Sequence, residues 1–167
     1  MKRGLLIVLI CAFIGAFLAF NACDQVQAAG EITVFYKCAE INATTGQIKP
    51  HFQVKNNTSS AIELSSVKIR YWYTIDTTQP QNYVCDYAQI GSSNTTGAFT
   101  SVSAGSTANY YVEVGFTSSA GSLAAGANTG EIQVRIYKSD WSSYTQTNDY
   151  SFDSTMTAFG QNTKVTG

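Results

Sequence analysis

The feature that most constrains this chain is the alternation in Val67-Lys68-Ile69-Arg70-Tyr71-Trp72-Tyr73-Thr74. It puts Val67, Ile69, Tyr71 and Tyr73 on one face and Lys68, Arg70, Trp72 and Thr74 on the other. A period of two, carried by β-branched and aromatic residues, suits a half-buried strand and not a helix. The same signal recurs over 32–36, 48–54, 83–88, 98–102, 109–116 and 131–137, where Ile132, Val134 and Ile136 alternate against Glu131, Gln133 and Arg135. Turn-forming stretches separate these runs: 42–46, 56–60, 76–82, 91–97 and 118–130, the last with Leu123 as its apolar anchor. No segment after Ala29 sustains helical periodicity. Short strands at this spacing predict one all-β domain, an antiparallel β-sandwich.

The first residues follow a different rule. Lys2 and Arg3 precede an apolar run over 5–20, and small residues follow at Ala22 and over 28–30. This is the layout of a secretory signal peptide over 1–28, with Val26-Gln27-Ala28 at the cleavage site, so the mature protein is expected to be secreted and to begin near Ala29. A retained anchor and lipid attachment at Cys23 are the competing readings, since the run is nearly long enough to cross a bilayer.

Cys11 and Cys23 fall in that segment, which leaves Cys38 and Cys85 for the folded chain. In an exported protein a pair of this kind is either a disulfide, closing a loop of about 48 residues, or two buried thiols, and spacing leaves both open. Neither cysteine has the neighbours of a catalytic thiol or the repeat of a zinc site.

With a net charge of −1 and no basic block, the chain has no electrostatic footprint for nucleic acid or an anionic membrane. Catalysis finds little support: the single histidine, His51, lies mid-strand without a motif and is expected as an exposed strand residue. The carboxylates are scattered toward strand ends. The chain is 13% charged overall, yet 135–153 gathers Arg135, Lys138, Asp140 and Asp149 with Tyr137, Trp141, Tyr144 and Tyr150. Such a mixture suits a sugar-binding surface, because flat rings match the apolar faces of pyranoses and polar groups meet their hydroxyls. Most aromatics in a sandwich are nevertheless core or sheet-face residues, and Tyr71, Tyr73, Tyr111 and Phe116 are expected to be buried or to line a groove.

Trp-Ser-Ser-Tyr-Thr-Gln-Thr-Asn-Asp-Tyr-Ser-Phe over 141–152 resembles the hallmark of family 3 carbohydrate-binding modules, the cellulose-binding modules of bacterial cellulases and cellulosome scaffoldins. The similarity extends in order and spacing through 32–36, 70–76, 85–88 and 111–116. The resemblance implies a jelly roll of about nine strands over 29–167, a structural calcium, and a flat strip that adsorbs crystalline cellulose without catalysis. It carries the calcium ligands onto Thr74, Asp76, Thr145, Asn148 and Asp149, a hard-oxygen set of the kind calcium prefers. It carries the strip onto Asp86, Tyr87, Arg135 and Trp141, with a planar guanidinium in line with rings. A further family tyrosine has no equivalent in 91–97, and Phe99 is its displaced substitute at best. Members also usually continue past the equivalent of 164–167 into one more strand, so the sequence is expected to be either a fragment or a domain that tolerates an edge open to pairing. The partners implied are cellulose or a related plant cell wall polysaccharide and an attached or associated glycoside hydrolase. The alternative is an accessory module of the same fold without independent cellulose binding.

Overall fold

The structure, a computed structural model, describes residues 31–103 and 107–167. The expected signal peptide, its cleavage site and Cys23 lie outside the described residues. In chain order the strands are β1 (Ile32–Cys38), β2 (Thr44–Thr45), β3 (Pro50–Asn56), β4 (Ile62–Glu63), β5 (Ile69–Tyr73), β6 (Gln81–Ala88) and β7 (Thr95–Ser101). They continue with β8 (Tyr110–Phe116), β9 (Ser122–Leu123), β10 (Ile132–Lys138), β11 (Tyr144–Thr145), β12 (Gly160–Gln161) and β13 (Val165–Thr166). Nine of these form two antiparallel sheets, a five-stranded one ordered β12-β1-β3-β10-β6 and a four-stranded one ordered β13-β5-β8-β7. The remaining four make two small ribbons, β11-β2 and β4-β9. The fold is a jelly-roll β-sandwich, as the strand spacing and the resemblance predict.

The alternation read from the sequence is the alternation that is buried. From β5 and its entry, Val67, Ile69, Tyr71 and Tyr73 point into the sandwich, while Lys68 and Arg70 face solvent. They meet Phe52 and Val54 of β3, Ile132, Val134 and Ile136 of β10, and Val112 and Val114 of β8, all with essentially no exposed surface. Each fully buried side chain of this kind stabilises the fold by roughly 1.5–3 kcal/mol before entropy is counted. Tyrosines bridge the layers: Tyr36 of β1 lies 5.8 Å from Tyr71, and Tyr73 lies 6.0 Å from Tyr144. Burial pushes the phenols of Tyr36, Tyr71 and Tyr73 well above their ordinary pKa. Of the aromatics expected inside, Phe116 is buried as well, whereas Tyr111 is only half-buried and packs on Trp72 on the outer face of the four-stranded sheet.

Two expectations change. The stretch 91–97, a loop by composition, yields Thr95, Thr96 and Gly97 to β7. Gly97 pairs with Val114, and the ring of Tyr83 lies where a Cβ at 97 would stand, 2.1 Å from Cγ, so a bare backbone is required there. Phe99, in the same strand, packs against the core and adds nothing to an outer strip.

The two cysteines are free. Cys38 opposes Pro50, and Val134 opposes Cys85, while the pairings Ile132 with Phe52 and Ile48 with Ile136 put Pro50 level with Val134. Cys38 and Cys85 therefore stand in one row across β1, β3, β10 and β6. Three inter-strand steps make about 14 Å, far beyond the Cα separation of up to about 7 Å that a disulfide spans.

Candidate functional site

The outer face of the five-stranded sheet carries the first group of residues. Between Gln133 and Val134 of β10 the register with β6 shifts: Gln133 opposes Tyr87, whereas Val134 opposes Cys85. Asp86 is the extra residue of a β-bulge. In a regular strand consecutive residues point to opposite faces, but a bulge presents two residues to one partner. Asp86 and Tyr87 are thereby both exposed on the outer face, Tyr87 at 48%.

Arg135 faces the same way, because Val134 and Ile136 on either side of it point into the core. It donates from Nε to Asp86 Oδ2 and from Nη2 to Asp86 Oδ1, both at 2.9 Å, a fork-to-fork pair that fixes the guanidinium plane. The guanidinium holds the Asp86 carboxyl below its ordinary pKa, and the carboxylate in return raises that of Arg135. Next along β10, the Tyr137 ring lies 5.5 Å from the Arg135 guanidinium and stacks on Trp141, with centroids 4.6 Å apart and planes within 18°. Trp141 is 55% exposed. Asp86, Tyr87, Arg135 and Trp141, the residues onto which the resemblance carries a strip, thus share one face, with Tyr137 stacked beneath Trp141. The parity of Tyr137 with Arg135 was the available signal.

Toward β1 the same face continues into an ionic cluster. Glu131 Oε1 accepts from Lys37 Nζ at 2.7 Å and lies 3.2 Å from His51 Nδ1. His51, expected as an exposed strand residue, is half-buried, and burial pushes its imidazole pKa down.

The second group lies where the end of β5 meets the segment after β10. Thr74 donates from its backbone N–H to Asp149 Oδ1 at 2.7 Å, and its hydroxyl reaches Asn148 Oδ1 at 2.8 Å and Asp149 Oδ1 at 3.0 Å. Asp76, at φ 58°, receives the Thr145 N–H on Oδ2 at 2.7 Å and the Asn148 amide on Oδ1 at 3.4 Å. The five residues onto which the resemblance carries the ligands are brought together in one hydrogen-bonded cluster. This explains why Thr74, solvent-facing by alternation, is buried.

Asp149 Oδ2 is buried with no hydrogen-bond partner. Burial, chiefly, pushes this carboxyl up to about 7 despite the donors from Thr74, and the neighbouring Asp76 charge adds to the rise. An orphaned carboxylate oxygen is costly unless a cation meets it. Two carboxylates, an amide oxygen and the Thr74 hydroxyl fit a hard divalent cation of the calcium kind, without the imidazole and thiolate donors that softer metals favour.

Lys138 belongs to the site too, though no motif marks it. It shares the inward parity of Ile132, Val134 and Ile136 and is wholly buried. Its ammonium donates to Thr77 Oγ1 at 3.1 Å and Ser143 O at 2.8 Å and sits 4.2 Å over the Tyr144 ring. Burial lowers its pKa, while Asp76, Asp140 and Asp149 act to raise it. Gln146, also buried, donates from Nε2 to Glu40 O and Asn42 O, and β11 pairs with β2. Together these hold the segment 139–149 against the sandwich.

A jelly roll with one outer face of exposed rings and paired charges, and an oxygen-rich cluster at one end, defines a β-sandwich binding module. The family model described as "Cellulose binding domain" matches residues 33–167, and the chain belongs to that family. Its members are non-catalytic binding modules. A beta-mannanase/endoglucanase A of Caldicellulosiruptor saccharolyticus is 51% identical over 138 residues, 82% of this chain but 10% of that protein. Cellulose-binding protein A of Clostridium cellulovorans is 38% identical over 99% of this chain and 9% of its own length. The solved CBM3b of the scaffoldin subunit ScaA from Acetivibrio cellulolyticus superposes with a TM-score of 0.78 at 39% identity, over 81% of this chain and 88% of that one.

Proposed function

We propose that this chain is an extracellular, non-catalytic module that adsorbs to crystalline cellulose through Asp86, Tyr87, Arg135 and Trp141. In this reading it brings an attached or associated glycoside hydrolase to plant cell wall polysaccharide. The observation that carries the proposal is the outer face of β6, β10 and the turn after β10, on which the bidentate Arg135–Asp86 pair is accompanied by the exposed rings of Tyr87 and Trp141. Pyranose rings in a crystal face present C–H groups to aromatic planes and equatorial hydroxyls to charged groups, and this face offers both partners. The relatives' names support the substrate class. The reading gives Thr74, Asp76, Thr145, Asn148 and Asp149 the task of holding a calcium ion, which would neutralise the two carboxylates and fix the segment that bears Trp141.

The test is a pull-down on microcrystalline cellulose, with and without a chelator, beside a reducing-sugar assay. Wild-type protein is expected in the pellet with no sugar released. Trp141→Ala is expected to lose most adsorption, by about tenfold or more, while keeping its fold. Undiminished adsorption of that variant sinks the strip. The absence of an aromatic in 91–97 and the inward turn of Phe99 favour one second reading, an accessory module too weak to bind alone. Wild-type protein left in the supernatant would support it.

A further inference from the structure

The stacked pair Tyr137–Trp141 has a geometry that a single layer of side chains does not give. Two rings with centroids 4.6 Å apart and planes within 18° cannot lie side by side in one plane, because each ring is itself wider than that. One covers the other. Trp141 is 55% exposed and Tyr137 only half-buried beneath the row, so the indole is the outer ring and the phenol the inner. The inner ring is set by the sheet: Tyr137 is the penultimate residue of β10, opposite Asn82, with Ile136 and Lys138 on either side of it locked in the core. The outer ring has no such support from its backbone. Trp141 follows the end of β10, with φ at 59° and its N–H donating to Lys138 O at 2.9 Å, so that the turn folds the indole back over β10.

We infer that Tyr137 is the positioning residue for Trp141: a backing ring that fixes the height and tilt of the indole so that its outer face lies parallel to the Arg135–Asp86 plane. This inference rests on the reading of Trp141 as part of the cellulose strip and adds a residue that the strip's composition does not name. Its energetic logic is preorganisation. A tryptophan at a turn samples several rotamers, and a crystal surface selects the flat one. Tyr137 fills that rotamer's inner face before binding, so less order is lost on adsorption. The phenol hydroxyl is not needed for this; a flat ring is.

The experiment uses the full chain and compares Tyr137→Ala, Tyr137→Leu, Tyr137→Phe and Trp141→Ala by adsorption isotherms on microcrystalline cellulose. Iodide quenching of Trp141 fluorescence is followed in a Trp72→Phe background, which leaves Trp141 as the one emitter. Ala and Leu at 137 are expected to weaken adsorption by roughly fivefold to tenfold and to raise the quenching of Trp141 in the free protein, with Phe restoring both. Leu separates a flat backing ring from mere apolar bulk, and the quenching of unbound protein reads the indole's freedom independently of cellulose. Full adsorption by Tyr137→Ala and Tyr137→Leu, or unchanged quenching in both, overturns the inference when Trp141→Ala still loses adsorption. If Trp141→Ala adsorbs normally, the strip itself has failed, and quenching alone then decides whether Tyr137 orders the indole.

Discussion

At the scale of single residues, Trp141 holds a backbone conformation that its side chain opposes. At φ 59° its Cβ crowds the following carbonyl, a cost of about 1–2 kcal/mol for any residue but glycine. Strain of this kind persists where a surrounding structure enforces it, and here the turn to Lys138 and the stack on Tyr137 do so. A consequence can be read in stability alone. In regular structure Ala→Gly lowers stability by about 0.5–1 kcal/mol. At 141 the order should reverse, with Trp141→Gly at least as stable as Trp141→Ala in urea titrations, because only glycine escapes the left-handed penalty. Both should fail to adsorb. A Gly variant clearly less stable than the Ala variant would mean that the turn at 138–141 relaxes once the ring is gone, and that the ring, not the turn, imposes the backbone.

At the scale of elements, Gly97 is where β7 comes against Tyr83 of β6, across the corner between the sheets. A Cβ there would lie 2.1 Å from Tyr83 Cγ and 2.7 Å from its Cβ, the root of the side chain and not a tip that can swing away. Gly97→Ala should therefore destabilise the fold by about 1–3 kcal/mol, as overpacking does. In a Tyr83→Ala background the same change should cost far less, and equal costs in both backgrounds would remove Tyr83 as the cause. This corner also marks the limit of what alternation conveys. The strands over 32–36, 48–54, 109–116 and 131–137 were legible because each buries one full face. Thr95 and Thr96 were not, since an edge strand has little to bury and its composition matches that of a loop. The bulge at Asp86 was likewise hidden, because β6 alone does not specify which of its residues goes unpaired against β10. Asp86 and Tyr87 were legible as strip residues only through the resemblance. Tyr137 and Lys138 were legible by parity, once Ile132, Val134 and Ile136 are taken as inward.

At the scale of the whole molecule, the cluster of Thr74, Asp76, Thr145, Asn148 and Asp149 ties the end of β5, in the four-stranded sheet, to the segment that follows β10 in the five-stranded one. Sequence order hides this junction, as more than 60 residues separate its halves. The orphaned Asp149 Oδ2 and the burial beside it are visible only in three dimensions. If the cluster holds calcium as proposed, it makes stability depend on pH and cation together. With no cation bound, Asp149 titrates near 7 in the fold, against an ordinary 3.8 that the unfolded chain approaches. The native state then holds the proton more tightly. Its contribution is fully present below about pH 4 and is lost as pH rises through about 7, on the order of a few kcal/mol at most. A calcium ion held there, as proposed, would reverse the preference, because it would bind the ionised carboxylate and compete with the proton. Calcium should therefore raise the thermal midpoint strongly at pH 8 and little at pH 5, with a chelator restoring the lower value. Asp149→Asn separates the two effects. In chelator at pH 8 it should melt above wild type, having no charge to bury, whereas with calcium present it should melt below. A calcium increment that is the same at both pH values, or that survives Asp149→Asn, would show that any calcium bound is held elsewhere in the molecule.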